Sequence, residues 1–155
     1  MSHHIRPVNL EDLDDVMEIE RASFPIAWEY TTYLRICMEK GRILSSDGGL
    51  LIMDVLEIDS NFTGYAVWET DPVSTRGHIL NLVIIENERK KGYGKLLIDH
   101  VQNSLRETGM TSCFLEVRES NTAARSLYMS SGFTVSNRLD GYYFDEDAIE
   151  YSRDL

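Results

Sequence analysis

Glu116 stands inside the apolar run Cys113-Phe114-Leu115-Glu116-Val117. A carboxylate in such a strand is costly unless it is paired or reaches a wet cleft. Poor solvation in a cleft makes a carboxylate a stronger base near neutral pH. A half-exposed strand that turns Glu116 to water is the other reading. Asn121 and Tyr128 are seven positions apart on a helical stretch, so they share a face two turns apart. Taken singly, Asn121 serves as a helix cap and Tyr128 as a core aromatic. His78 opens the apolar run 78–85 and suits either structure or chemistry there. Tyr142-Tyr143, beside Gly141, form a substrate-facing lip or a packing pair.

A loop adds a different chemistry. Arg89-Lys90-Lys91-Gly92-Tyr93-Gly94-Lys95 reads R-x-x-G-x-G between a strand-like run and a helix-like run. A glycine turn that opens a helix aims several N–H groups and a positive helix end one way, which suits phosphate or pyrophosphate. Gly92 and Gly94 allow close approach where a Cβ would collide, and Lys90, Lys91 and Lys95 add positive charge. A surface turn before a solvated helix is the plainer reading. The dinucleotide pattern G-x-G-x-x-G and the P-loop pattern are both absent.

The elements that must position these groups follow from patterning. His3 to Val8 reads as a strand. Asn9 reads as a helix cap, with Glu11 and Asp12 in the first turn of a helix to about Ala22. Leu10, Leu13, Val16 and Met17 form its apolar stripe, and Phe24-Pro25 ends it. A second helix spans Glu29 to Glu39. Leu50 to Ile58 and Phe62 to Glu69 read as a hairpin about Asp59-Ser60-Asn61. The run 78–85 is a strand covered on both faces. A helix from Lys95 to Leu105, a strand from Ser112 to Arg118, a helix from Asn121 to Ser131 with Gly132 as its cap, and final strands at Phe133 to Arg138 and Ile149 to Arg153 complete the chain. The order predicts an α/β (α+β) fold with a mixed sheet, and the length predicts one domain over 1–155.

Composition narrows the partners. A formal net charge of −11 disfavours nucleic acid and anionic membranes and accommodates a cationic amine. No apolar run approaches the ~20 residues that span a bilayer, and the first residues do not read as a signal peptide. Cys37 and Cys113 lie far apart without metal-ligand spacing, which predicts buried thiols in a reducing, cytoplasmic setting. Cys113 falls on the strand face opposite Glu116, which argues against a cysteine nucleophile.

Arg89-Lys90-Lys91-Gly92-Tyr93-Gly94, Leu115-Glu116-Val117-Arg118, Ser120-Asn121-Thr122-Ala123-Ala124, Leu127-Tyr128, Gly132-Phe133, Tyr142-Tyr143 and Glu146-Asp147-Ala148 occur in one order along the chain, after Phe24-Pro25 and Trp28. In that order the chain resembles the GNAT superfamily of acetyl-CoA-dependent N-acetyltransferases, and within it the RimI-type and archaeal protein N-terminal acetyltransferases. The resemblance covers essentially the whole chain. It implies a central sheet of six to seven strands flanked by four helices, with splayed central strands that bind acetyl-CoA. It implies that Lys90, Lys91, Gly92, Tyr93, Gly94 and Lys95 hold the pyrophosphate, that the main chain of Leu82, Val83 and Ile84 bonds the pantetheine arm like an added strand, and that Asn121 contacts the same arm. Glu116 would take the proton of the substrate amine through a water, and Tyr128 would protonate the leaving thiolate. Phe24, Pro25, Trp28, His78, Tyr142 and Tyr143 would line the peptide entrance.

The implied activity is acetyl transfer to protein N-termini by direct attack in a ternary complex, with no metal. An auxiliary subunit or a homodimer is left open. Transfer to a lysine side chain or a small amine is the alternative enzyme, and a partner-dependent or non-catalytic acyl-CoA-binding subunit is the alternative class. One departure matters. Some archaeal relatives carry an acid just after the proline of the first helix–helix loop; here Ile26 stands there, so the base role rests on Glu116. His78 is expected to help hold the catalytic water, or to capture a metal with Glu116.

Overall fold

A computed structural model describes residues 2–155. Local chemistry fixes its first helix. After β1 (His3–Pro7), the Asn9 side chain accepts from the Glu11 N–H at 2.9 Å, and Asp12 accepts from the Asn9 N–H at 2.8 Å. This reciprocal capping box opens a 3-10 turn, Leu10–Asp12, that leads into α1 (Leu13–Ser23). Arg6 holds both oxygens of Asp12 at 2.8 Å and so ties β1 to the helix start. The buried stripe of α1 is Leu13, Val16, Met17 and Glu20, while Leu10 is exposed. The helix stops where Phe24 turns extended before Pro25.

After α2 (Tyr30–Met38), Lys40 and Gly41 take left-handed backbone, with φ of 55° and 72°. Gly41 is required there, because a Cβ would collide with the Met53 carbonyl. The chain then forms β2 (Arg42–Leu44), a strand that the pattern does not predict. Three residues are too few to display an alternation. The hairpin of β3 (Leu50–Ile58) and β4 (Asn61–Asp71) turns through Asp59 and Ser60, both at positive φ, as a tight two-residue turn demands. Then follow β5 (Arg76–Ile84), α3 (Tyr93–Glu107), β6 (Ser112–Arg118), α4 (Thr122–Ser130), β7 (Thr134–Leu139) and β8 (Ala148–Asp154). The third helix starts two residues before the expected Lys95.

Among the described residues the sheet has eight strands, in the order β1-β3-β4-β5-β6-β8-β7 with β2 paired to β3. The expected six to seven strands are exceeded by β2. Neighbours are antiparallel except β5 and β6, the one parallel pair. The sheet is covered on both faces. Leu56, Trp68, Leu97, Val101, Leu105, Leu115 and Tyr151 pack on the α3 side. Val16, Met17, Tyr33, Ile36, Val55, Tyr65 and Val67 pack on the α1–α2 side.

Two irregularities create the site. Pairing of β5 with β6 is confined to Arg76–His78 against Ser112–Phe114, after which the strands part. The β4–β5 register shifts at Val67/Trp68, so that Val67 faces Asn81, Trp68 faces Ile79, and Leu80 is left unopposed. A bulge bends a strand and raises its twist. Here it bends β5 just beyond the last residue paired to β6, which accounts for the parting of the two strands. The bulge also shifts the side-chain alternation, so that His78 and Asn81 line the same cavity although they are three residues apart.

Candidate active site

The cavity lies where β5 and β6 separate and encloses about 320 Å³. On β6, the partly exposed Phe114, Glu116 and Arg118 alternate with the buried Cys113, Leu115 and Val117. Glu116 therefore faces the cavity and Cys113 faces the core. Burial pushes the Cys113 thiol up to about 11, so it is a poor nucleophile. On β5, His78 Nε2 lies 2.8 and 2.7 Å from the two oxygens of Glu116. A carboxylate only accepts, so Nε2 carries the hydrogen in this contact. The imidazole stacks on Phe114 with ring centres 4.1 Å apart, and its Nδ1 lies 3.6 Å from Glu69. Among the described residues no three His, Cys, Asp or Glu side chains assemble as a metal set.

Tyr128 comes from α4 and packs edge-on against Phe133 at 5.9 Å. Burial holds its hydroxyl well above the usual tyrosine range, and nearby Tyr143 adds to the shift. Tyr128 is thus protonated at neutral pH. Asn121 caps α4, its side chain accepting from the Ala124 N–H at 3.2 Å, and it also lines the cavity. The structural reading of Asn121 holds, and Nδ2 is not the atom the cap uses.

The two walls come from loops. Phe24, Pro25 and Trp28 line one side, with Trp28 stacked on Tyr33 at 5.3 Å. Tyr142 and Tyr143 line the other, set edge to face at 4.9 Å. The Arg118 guanidinium lies over the Tyr143 ring at 4.5 Å and reaches Asp145 and Glu146 at 2.8 and 3.2 Å, which anchors that loop. Burial raises the Tyr143 hydroxyl to about 12, with Tyr142 and Glu116 adding to it.

The glycine loop lies beyond the lining residues, where α3 begins. Gly92 is the helix cap at φ 86°, with no side-chain bond at the cap. The N–H groups of a first helical turn have no partner inside the helix, and here Gly94 and Lys95 lie in that turn. Lys91 and Lys95 pair with Glu88 and Asp99 at 2.9 and 2.7 Å. The Tyr93 side chain is buried, so its main chain alone can face a ligand. A Cβ at Gly94 would stand 3.0 Å from Leu127, a closeness that the spacing conceals. Leu82 lines the cavity, while Val83 and Ile84 are buried. Among the described residues, β5 beyond His78 has no strand partner on its β6 side.

The Acetyltransferase (GNAT) family profile matches residues 13–133. The chain belongs to the GNAT family. Membership makes it an acetyl-CoA-dependent N-acetyltransferase. It is 26% identical to an N-alpha-acetyltransferase of Saccharolobus solfataricus, over 97% of this chain and 92% of that protein. It is 28% identical to the [ribosomal protein bS18]-alanine N-acetyltransferase of Haemophilus ducreyi, over 86% of this chain and 83% of that protein. The fold matches Ard1 from Thermoplasma volcanium with a TM-score of 0.84 at 24% identity, covering 100% of this chain and 99% of that one.

In this GNAT chain the cavity gathers Phe24, Pro25, Trp28, His78, Leu82, Glu116, Asn121, Tyr128, Tyr142 and Tyr143. It also holds Glu20 and Asn81, two polar residues that the motifs do not point to. Each left a trace in the sequence. Glu20 continues the stripe Leu13-Val16-Met17 at helical spacing, where an apolar residue belongs. Asn81 interrupts the apolar run 78–85.

Proposed function

We propose that this GNAT enzyme acetylates the N-terminal α-amine of proteins. The observation that carries the reading is the Glu116 carboxylate, held through both oxygens by His78 at the point where β5 and β6 separate, in a cavity that Tyr128 also lines. The relatives named above support it, since one is named an N-alpha-acetyltransferase and the other an N-acetyltransferase of an alanine of ribosomal protein bS18. Residues 1–155 act as one catalytic domain in a cytoplasmic setting.

The residues present fit acetyl-CoA as donor. The unpaired edge of β5 at Leu82, Val83 and Ile84 offers main-chain groups to an extended arm. The first turn of α3 and the left-handed Gly92 offer N–H donors to a pyrophosphate, with Lys90, Lys91 and Lys95 around it. The amide nitrogen of Asn121, which the cap does not use, would contact the same arm.

The incoming α-ammonium loses a proton to Glu116, directly or through a water that His78 helps to hold. An α-amine, with a pKa near 8, is a far easier target for a carboxylate base than a lysine near 10.4. The free amine then attacks the thioester carbonyl without an acyl-enzyme. Main-chain N–H groups of the open β5 edge face the developing oxyanion. Tyr128, kept protonated by burial, supplies the proton for the departing thiolate. Phe24, Pro25, Trp28, Tyr142 and Tyr143 wall the peptide entrance.

The test is mass spectrometry of peptides incubated with acetyl-CoA and the purified protein. The panel varies the first two residues and includes an N-blocked, lysine-containing control. Acetyl on free α-amines alone is expected. Acetyl on the blocked control moves the enzyme to side chains or small amines.

A further inference from the structure

In the wall of the cavity sits a buried carboxylate, that of Glu20. Four groups donate to it. The Trp28 N–H reaches Oε2 at 3.0 Å, and the Tyr33 and Tyr65 hydroxyls reach Oε1 at 2.9 and 2.6 Å. The Asn81 amide nitrogen lies 3.4 and 3.5 Å from the two oxygens. These donors come from the α1–α2 loop, α2, β4 and β5, so Glu20 pins the wall of the peptide entrance to the sheet.

The network also decides which way Asn81 points. A carboxylate accepts and does not donate, so every neighbour must turn a hydrogen toward it. Tyr33 gives its proton to Glu20 and accepts from Asn81 Nδ2 at 2.9 Å. Both hydrogens of that amide are thus drawn toward Glu20 and Tyr33. The flipped amide would set its oxygen against the carboxylate, with neither able to donate. Oδ1 is therefore turned away from the network, on a residue that lines the cavity. The unopposed Leu80 completes the arrangement by bringing Asn81 onto the face of His78. The result is an acceptor of fixed orientation, three residues along β5 from the histidine that holds Glu116.

We propose that Asn81 Oδ1 positions the substrate by accepting a hydrogen bond from an N–H of the first two residues of the peptide, and that Glu20 holds it in that orientation. The inference rests on the N-terminal acetyltransferase reading. An extended peptide whose α-amine reaches Glu116 carries such donors on the amine itself and on its first peptide bond. A backbone donor is common to every N-terminus, so this contact reads the presence of a peptide end and not a particular side chain.

Steady-state kinetics test it. The parent, Asn81→Ala and Glu20→Gln are each assayed with a free N-terminal peptide and with the same peptide N-methylated at its first peptide bond. For Asn81→Ala, kcat/KM for the peptide should fall roughly 3- to 10-fold, the range of one lost hydrogen bond, while KM for acetyl-CoA stays at the parent value. Glu20→Gln should shift the peptide constants the same way, because glutamine can hand an N–H to the network and free Asn81 to flip. Given that fall, a methylation penalty smaller in Asn81→Ala than in the parent assigns the donor to the first peptide bond; an equal penalty assigns it to the α-amine. Asn81→Ala with the parent's peptide constants overturns the inference. A fall in which KM for acetyl-CoA moves as far as that for peptide also overturns it, since it marks a packing role. A parent that acetylates no free α-amine is a separate result, which removes the activity reading and this inference with it.

Discussion

His78 and Glu116 are 38 residues apart in sequence and bonded in space, with Nε2 at 2.8 and 2.7 Å from the two carboxylate oxygens. The histidine sits at the last β5 residue paired to β6, and the glutamate lies two residues past its partner Phe114. The bond thus spans the mouth of the splay. His78→Phe would keep an aromatic ring against Phe114 while removing the N–H. Its kcat should fall about 10- to 100-fold, the range for a hydrogen bond to a charged group. Stopped-time mass spectrometry of a peptide substrate measures this. A variant as fast as the parent would leave the histidine with stacking alone.

Glu116→Gln should lower kcat by roughly 10²-fold or more, the usual contribution of a positioned general base. Acetyl-CoA binding, measured by calorimetry, should stay within about twofold of the parent on the same argument, because on the proposed reading the lost group serves the amine. An unchanged rate across a range of pH would remove Glu116 from the base role.

Tyr128→Phe keeps the ring that packs on Phe133 and removes the proton. The expected effect is a fall in kcat with little change in either KM, the signature of an interaction made in the transition state. A change confined to KM would instead make Tyr128 a binding residue.

Gly92 and Gly94 should respond differently to alanine. Nothing lies within 4 Å of a Cβ at Gly92, but its φ of 86° costs an L-residue about 1–2 kcal/mol. Gly92→Ala should fold, lose a little stability, and raise KM for acetyl-CoA several-fold with the peptide constants unmoved. Gly94→Ala brings a Cβ to 3.0 Å from a Leu127 methyl, the far end of a flexible side chain, while gaining about 1 kcal/mol of helix propensity, so its melting temperature should stay near the parent's. Thermal melts beside acetyl-CoA titrations separate the two effects.

Away from the site, Asp54 is buried, with His100 Nε2 at 2.7 Å and an Arg42 nitrogen at 2.9 Å. Burial opposes its ionisation, yet the His100 hydrogen bond and the Arg42 charge together hold the carboxyl below the usual range. An acid depressed in the folded state adds stability above its unfolded pKa of about 3.9 and loses it as pH falls through the lower folded value. Urea midpoints should therefore decline from about pH 5 downward. Because Arg42 and His100 are partly exposed and can turn to water, Asp54→Asn should be destabilised by only about 1–2 kcal/mol at pH 7 and show a flatter acid limb.

Much of this molecule is legible in its local chemistry. The Asn9 cap, the stop at Phe24-Pro25 and the stripe Leu97-Ile98-Val101-Leu105 all appear as the residue types require. Glu116 among apolar neighbours marks a cleft, and the loop Arg89 to Lys95 marks the start of a helix. These are interactions within a turn or two of chain, where side-chain type decides the outcome. Other features depend on partners far along the chain. β2 exists because Ile43 faces Leu51 on β3. A Cβ at Gly94 would stand 3.0 Å from Leu127, far along the chain.

What sequence alone determined was the family, the elements other than β2 and most of the residues that gather at the cavity, because periodicity and motif order are written in neighbouring residues. Tertiary structure alone decided the bond from His78 to Glu116, the bulge at Leu80 and the burial of Glu20 beneath Trp28, Tyr33, Tyr65 and Asn81. The physical reason is that a buried carboxylate is tolerated only when donors surround it. Those donors stand as far as 61 residues from Glu20 along the chain, and only the packed sheet brings them together.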